Sequence, residues 1–111
     1  MCIKLNKVRV ICNEDVKRVL LGTPKNHKHL RISIMLDEEC LIFSEATIAN
    51  ILRAFVTIKT HPQVMAIELR EAVLLPEDRK AGYAEHQLLE AERGHKEIEE
   101  ELRSIINQGN Q

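Results

Sequence analysis

The chain has 111 residues, 44% of them apolar, which is enough for one domain with a real core. Charged residues make up 30%, both signs are mixed and the net charge is −1, a balance that argues against a disordered chain. No apolar run approaches the roughly 18 residues a membrane-spanning helix needs, and only Phe43, Phe55 and Tyr83 are aromatic, so any core must be aliphatic.

Residues 2–12 predict a strand with a defect. Ile3 and Leu5 share one parity, while Val8, Val10 and Cys12 share the other. The slip at Asn6-Lys7 implies a bulge or tight turn, since a regular strand alternates strictly. Asn13-Glu14-Asp15 predicts a helix start, with Asn13 as cap and Val16, Val19 and Leu20 on one face up to Gly22 and Pro24. Eight residues make a weak helix, and a strand is the alternative there. Residues 23–29 form a polar basic loop.

The alternation of Leu30, Ile32, Ile34 and Leu36 against Arg31, Ser33 and Met35 predicts a half-buried strand. Asp37-Glu38-Glu39 turns the chain, and Cys40 to Phe43 returns as its hairpin partner. Ser44 caps a helix that runs to about Thr60 and ends at His61-Pro62. One of its rows is Ile48, Leu52, Phe55 and Lys59; another is Ile51, Ala54 and Ile58, with Val56 beside it. Only Asn50, Arg53 and Thr57 keep a narrow polar strip. Such a helix requires cover on two sides. Residues 63–75 predict a strand, from the shared parity of Met65, Ile67, Leu69, Val73 and Leu75.

From Pro76 to Asn107 the spacing predicts one long helix. A seven-residue repeat runs through Ala81, Ala84, Leu88, Ala91, His95, Ile98, Leu102 and Ile105, and it keeps its phase across Gly94. Glu92 with Lys96 and Glu99 with Arg103 are favourable pairs four apart. Thirty helical residues span roughly 45 Å, whereas a 75-residue body has a radius of gyration of about 11 Å. The helix outruns the body, so its seam needs a partner. Residues 108–111 are expected to fray. The expected fold is α+β: a body over 1–75 with a small, mostly antiparallel sheet and one buried helix, and a long C-terminal amphipathic helix over 76–107.

The leading functional expectation is a non-enzymatic, cytoplasmic, homo-oligomeric interaction module, a dimer joined through Ala84, Leu88, Ala91, His95, Ile98, Leu102 and Ile105. The seam is edged by Glu85, Glu92 and Glu99, so self-pairing is poorly specified by charge. Residues 76–111 hold 5 basic and 9 acidic side chains, whereas residues 1–35 hold 8 basic and 2 acidic. An acidic arm clasping the more basic body of a neighbouring subunit fits that split. His95 reads as a tolerated polar interface residue, or more sharply as a proton-sensitive contact.

An alternative is a nucleic-acid or polyanion-binding regulator using Lys17, Arg18, Lys25, Lys28 and Arg31, because phosphate contacts need clustered positive charge. Missing aromatic stacking residues count against it. A second alternative is a metal site on His27 and His29, whose i, i+2 spacing places both on one strand face, with Cys2, Cys12, Cys40 or His61 completing the set. Three cysteines without a CxxC pair suit a reduced, cytoplasmic chain, and no cofactor is expected. No GxSxG or phosphate-binding glycine loop is present.

Overall fold

The computed structural model describes residues 7–80 and 83–109. The chain is α+β, with two small antiparallel sheets and two helices. The first sheet is a meander of β1 (Arg18–Gly22), β2 (Arg31–Met35) and β3 (Cys40–Ser44). Helix α1 (Glu45–Thr60) follows β3 without an intervening residue. A hairpin of β4 (Leu69–Val73) and β5 (His86–Glu90) forms the second sheet, and α2 (His95–Gly109) closes the chain.

The β2–β3 hairpin forms where alternation placed it. Ile32 lies opposite Phe43 and Ile34 opposite Leu41, and on the other flank of β2 the same residues meet Leu21 and Val19. Cross-strand neighbours point to one face, so these six apolar side chains share a face. Leu36 N–H donates to the Glu39 carbonyl at 2.8 Å, closing the turn, and Leu36 itself is buried. Segment 13–22 takes the strand alternative. Asn13–Asp15 make a single 3-10 turn, in which Cys12 N–H donates to the Asp15 carboxylate at 2.8 Å, and β1 follows. The β-branched and leucine side chains of Val19, Leu20 and Leu21 gain more from pairing with β2 than from one short, isolated helix. The predicted strand at 2–12 falls partly on residues outside those described, Cys2, Ile3 and Leu5 among them, and residues 7–12 form no strand.

Helix α1 starts after Ser44 and ends at His61, whose N–H donates to the Thr57 carbonyl at 3.0 Å. The Ser44 hydroxyl bonds the Thr47 hydroxyl at 3.2 Å rather than a backbone N–H. The helix rests on β2, β3 and β5. None of its residues is fully buried and Ile51, Leu52, Phe55 and Val56 are exposed, so the expected two-sided cover is incomplete within this chain.

The long terminal helix is the principal correction. Pro76–Asp78 form a 3-10 turn, 86–90 form β5, and only His95–Gly109 are helical. Gln87, Leu88, Leu89 and Glu90 are good helix formers, but pairing with Ala72, Glu71, Arg70 and Leu69 overrides that local preference. The ladder continues past both ends, with Leu74 N–H to the Glu85 carbonyl and Ala91 N–H to the Glu68 carbonyl, each at 2.9 Å. Gly94 is where the helix begins: its carbonyl accepts the Ile98 N–H at 3.1 Å, the first helical bond. The tail expected to fray is helical through Gly109, and residues 110 and 111 lie outside the described residues.

Among the described residues only Leu36, Ala66 and Ile98 are buried apolar side chains. The radius of gyration is 16.3 Å, against about 13 Å for a compact chain of this length. The accessible surface is 9226 Å², where a compact monomer of 12.8 kDa exposes about 6300 Å². The fold is open, and most of its apolar side chains still meet solvent.

Candidate functional site

Helix α1 has three distinct faces. Its half-buried residues include Thr47, Ile48, Ala54 and Ile58. A second strip, Ala46, Ala49, Asn50 and Arg53, lines a cavity. The third carries Ile51, Leu52, Phe55 and Val56, exposed at 45, 55, 56 and 55%. The helix therefore covers part of its apolar surface, Ile48 and Ile58 included, and leaves a second apolar face in water. Lys59 is the cation beside that face, with its Nζ 5.9 Å from the Phe55 ring centre. On the first sheet Leu21 and Ile42, which lie on opposite faces, are exposed at 65 and 68%.

The cavity measures about 600 Å³ and lies between the first half of α1, the end of the first sheet and the segment entering β5. His29, Arg31, Ser44 and Glu45 form one wall, and Tyr83, Ala84 and Gln87 form the facing one. Arg31 and Ser44 are direct cross-strand neighbours, which fixes them at the sheet's end. Glu45 accepts from the Leu30 N–H at 3.4 Å and lies 3.3 Å from the His29 Nδ1. Arg31 donates to the Leu30 carbonyl at 3.3 Å, Arg53 to the Asn50 side-chain Oδ1 at 3.1 Å, and Gln87 to the Ala84 carbonyl at 2.8 Å.

A second polar cluster ties α2 to the rest of the chain. Arg93 donates to Glu68, to Glu97 at 3.2 Å and to Glu101 at 2.7 Å, and Arg70 also donates to Glu68. The hydrogen bonds from Arg70 and then Arg93 hold the Glu68 carboxyl below its ordinary range. Bonds to Glu68 and then Glu101 push the Arg93 guanidinium further up. Arg103 is likewise raised by its bidentate bond to Glu99, at 2.7 and 2.8 Å. The Glu92 side chain precedes the helix, and Arg93 supplies the observed pair four residues on, with Glu97.

The sequence-derived seam does not survive as one surface. Ala81 lies outside the described residues, Ala84 lies before β5, Leu88 is in β5 and Ala91 follows it. His95, Ile98, Leu102 and Ile105 are on α2, with Ile98 buried within the chain and Leu102 exposed. A helical repeat cannot make one stripe when its first half is not helical. The basic cluster is also split. Lys17 pairs with Asp37 at 3.7 Å, Arg18 is on β1, Lys25 and Lys28 are on the 23–30 loop, and Arg31 enters the cavity. His27 Nδ1 lies 3.2 Å from the Lys25 carbonyl, whereas His29 turns to Glu45. Among the described residues no group of three or more His, Cys, Asp or Glu side chains is placed to hold a metal ion, so the His27/His29 pair gains no third ligand.

Arg53, Asn50, Tyr83 and Gln87 were not singled out as site residues by sequence reasoning. The polar strip Asn50, Arg53, Thr57 was the available signal for the first two. The spacing of Arg93, Glu97 and Glu101, four and four, was the signal for the second cluster. No family model, curated protein or solved structure matches the chain.

Proposed function

We propose that the chain acts as a homodimeric interaction module whose two copies meet through the outward face of α1. The observation that carries this reading is the exposure of Ile51, Leu52, Phe55 and Val56 together on one face of that helix. A contiguous apolar helix face in water is the mark of a contact surface. The chain exposes about 2900 Å² more than a compact monomer of its mass, the same order as the roughly 1000–2500 Å² that each subunit of an obligate dimer covers.

Charge favours a second copy as the occupant. In an antiparallel α1 pair the C-terminal end of one helix lies beside the N-terminal end of the other, matching opposite helix-dipole ends. Two-fold pairing makes the patch its own complement. This reading moves the interface from the terminal helix to α1. Cys12 and Cys40, both unpaired thiols, suit a cytoplasmic setting, and the module works by contact rather than catalysis. No helix among the described residues is long and apolar enough to cross a membrane.

Sedimentation equilibrium at micromolar concentration is expected to give twice the mass of one chain. Leu52→Glu combined with Phe55→Glu should return the mass of a single chain while circular dichroism retains the helical signal. Wild-type protein that sediments as a single chain would overturn the reading.

A further inference from the structure

We propose that the cavity between α1 and β5 binds a small organic anion, with its carboxylate or phosphate held between Arg31 and Arg53. A guanidinium carries five N–H donors in a planar fork. Arg31 spends one on a neighbouring carbonyl and Arg53 one on Asn50. Neither is in an ion pair with a carboxylate among the described residues. Arg31 is also half-buried, where a cation without a counter-charge is costly. Arginine forks match carboxylate and phosphate oxygens two at a time.

The one acidic side chain in the cavity does not fill that role. Glu45 is engaged by the Leu30 N–H and the His29 ring. The lining therefore carries two arginines against one committed carboxylate, a net positive charge. About 600 Å³ is far more than a bare inorganic ion needs and falls in the range that holds a metabolite. Ala46 and Ala49 keep the α1 wall low, which leaves room for a carbon skeleton. Gln87 gives one of its two amide N–H groups to Ala84, which leaves its oxygen as an acceptor for a ligand hydroxyl. The exposed ring of Tyr83 offers an apolar face with a hydroxyl at its tip. The site asks for an anionic head and a short polar body, as in a sugar phosphate or a dicarboxylate.

Tyr83 is the single tyrosine and the chain has no tryptophan, so ultraviolet-excited fluorescence reports from this cavity. The full chain is titrated with ribose 5-phosphate, glutarate and inorganic phosphate, by calorimetry and by Tyr83 emission. At least one organic anion should bind saturably, more weakly at high salt, with a change in emission. Arg53→Gln and Arg31→Gln should each weaken binding about tenfold to a hundredfold, the loss expected for a hydrogen bond to a charged group. Arg53→Lys, which keeps the charge but not the fork, should fall between wild type and Arg53→Gln. Circular dichroism melts of the variants separate lost binding from lost folding. The proposal is overturned if neither organic anion binds at millimolar concentration, if only inorganic phosphate binds, or if folded arginine variants bind as wild type does. The α1 contact between copies uses a different face, so sedimentation distinguishes failure of that reading from failure of this one.

Discussion

Arg93, just before α2, donates to Glu68, just before β4, across a sequence separation of 25 residues. Both side chains are mostly covered, at 18 and 20% exposure, and Glu101 at 17% completes the bridge. One guanidinium thus joins the second sheet to the second turn of the terminal helix. Arg93→Met is expected to lower the thermal midpoint by several degrees, because it leaves the partly covered Glu101 without its donor and Glu68 with Arg70 alone. A double-mutant cycle with Glu68→Gln should show coupling, since removing the second partner costs less once the first is gone. Additive effects would show that the pair is not energetically linked.

The bonds from Arg70 and then Arg93 to Glu68 set an acid limit. Glu68 has a folded pKa below its unfolded value, near 4.3 for glutamate. Its contribution is therefore complete above the unfolded value and is lost as pH falls through the lower, folded one. Urea midpoints measured from pH 6 downward should decline through the acidic range, and Glu68→Gln should decline less steeply. Parallel curves for the two proteins would contradict this assignment.

Gly94 distinguishes a helix start from a helix interior. In an uninterrupted helix, Gly94→Ala would stabilise the chain by about 1 kcal/mol. At the capping position the sign reverses, because alanine is the poorer cap, whereas serine or aspartate is better than glycine by a few tenths of a kcal/mol. A Cβ at this position meets nothing within 4 Å, so sterics do not interfere. Gly94→Ala is expected to lower the melting temperature and Gly94→Asp to raise it.

Gly109 behaves differently. A Cβ there would lie 2.8 Å from Val8 Cγ1 and 2.9 Å from Val10 Cγ2, closer than carbon atoms approach. Gly109→Ala should therefore cost about 1–3 kcal/mol, the usual range for overpacking, measured by denaturant melts. Val8→Ala in the same chain should recover part of the loss. No recovery would mean that the end of α2 does not rest on the 8–10 segment.

Local signals located the central part of the fold well. Alternation from Leu30 to Leu36 specified the hairpin, because one half-buried face demands period two. Ser44 and His61-Pro62 bracketed α1 because cap and proline chemistry act on near neighbours. The second half was misread for the opposite reason. Residues 86–90 have helical propensity, and only their pairing with the distant 69–73 segment makes them a strand. An in-phase heptad across Gly94 carried no information about that pairing. The cavity was partly legible: Arg31 was already an anion-binding candidate, but Arg53 read only as part of a polar strip. Bringing the two together needs α1 folded onto the sheet's end, a tertiary relationship that no spacing encodes.

The first sheet joins only consecutive strands, and α1 leaves its last residue directly. Chain order and contact order therefore coincide from Arg18 to Thr60. As the polypeptide leaves the ribosome from its N-terminal end, the meander has every strand partner in hand before Leu69 emerges, and α1 already has β2 and β3 to rest on, with β5 still to come. Short-range closure of this kind is fast, whereas β4 must wait for β5 and Glu68 for Arg93. The nascent chain thus displays the greasy side of α1 early, while its own second half is still being made.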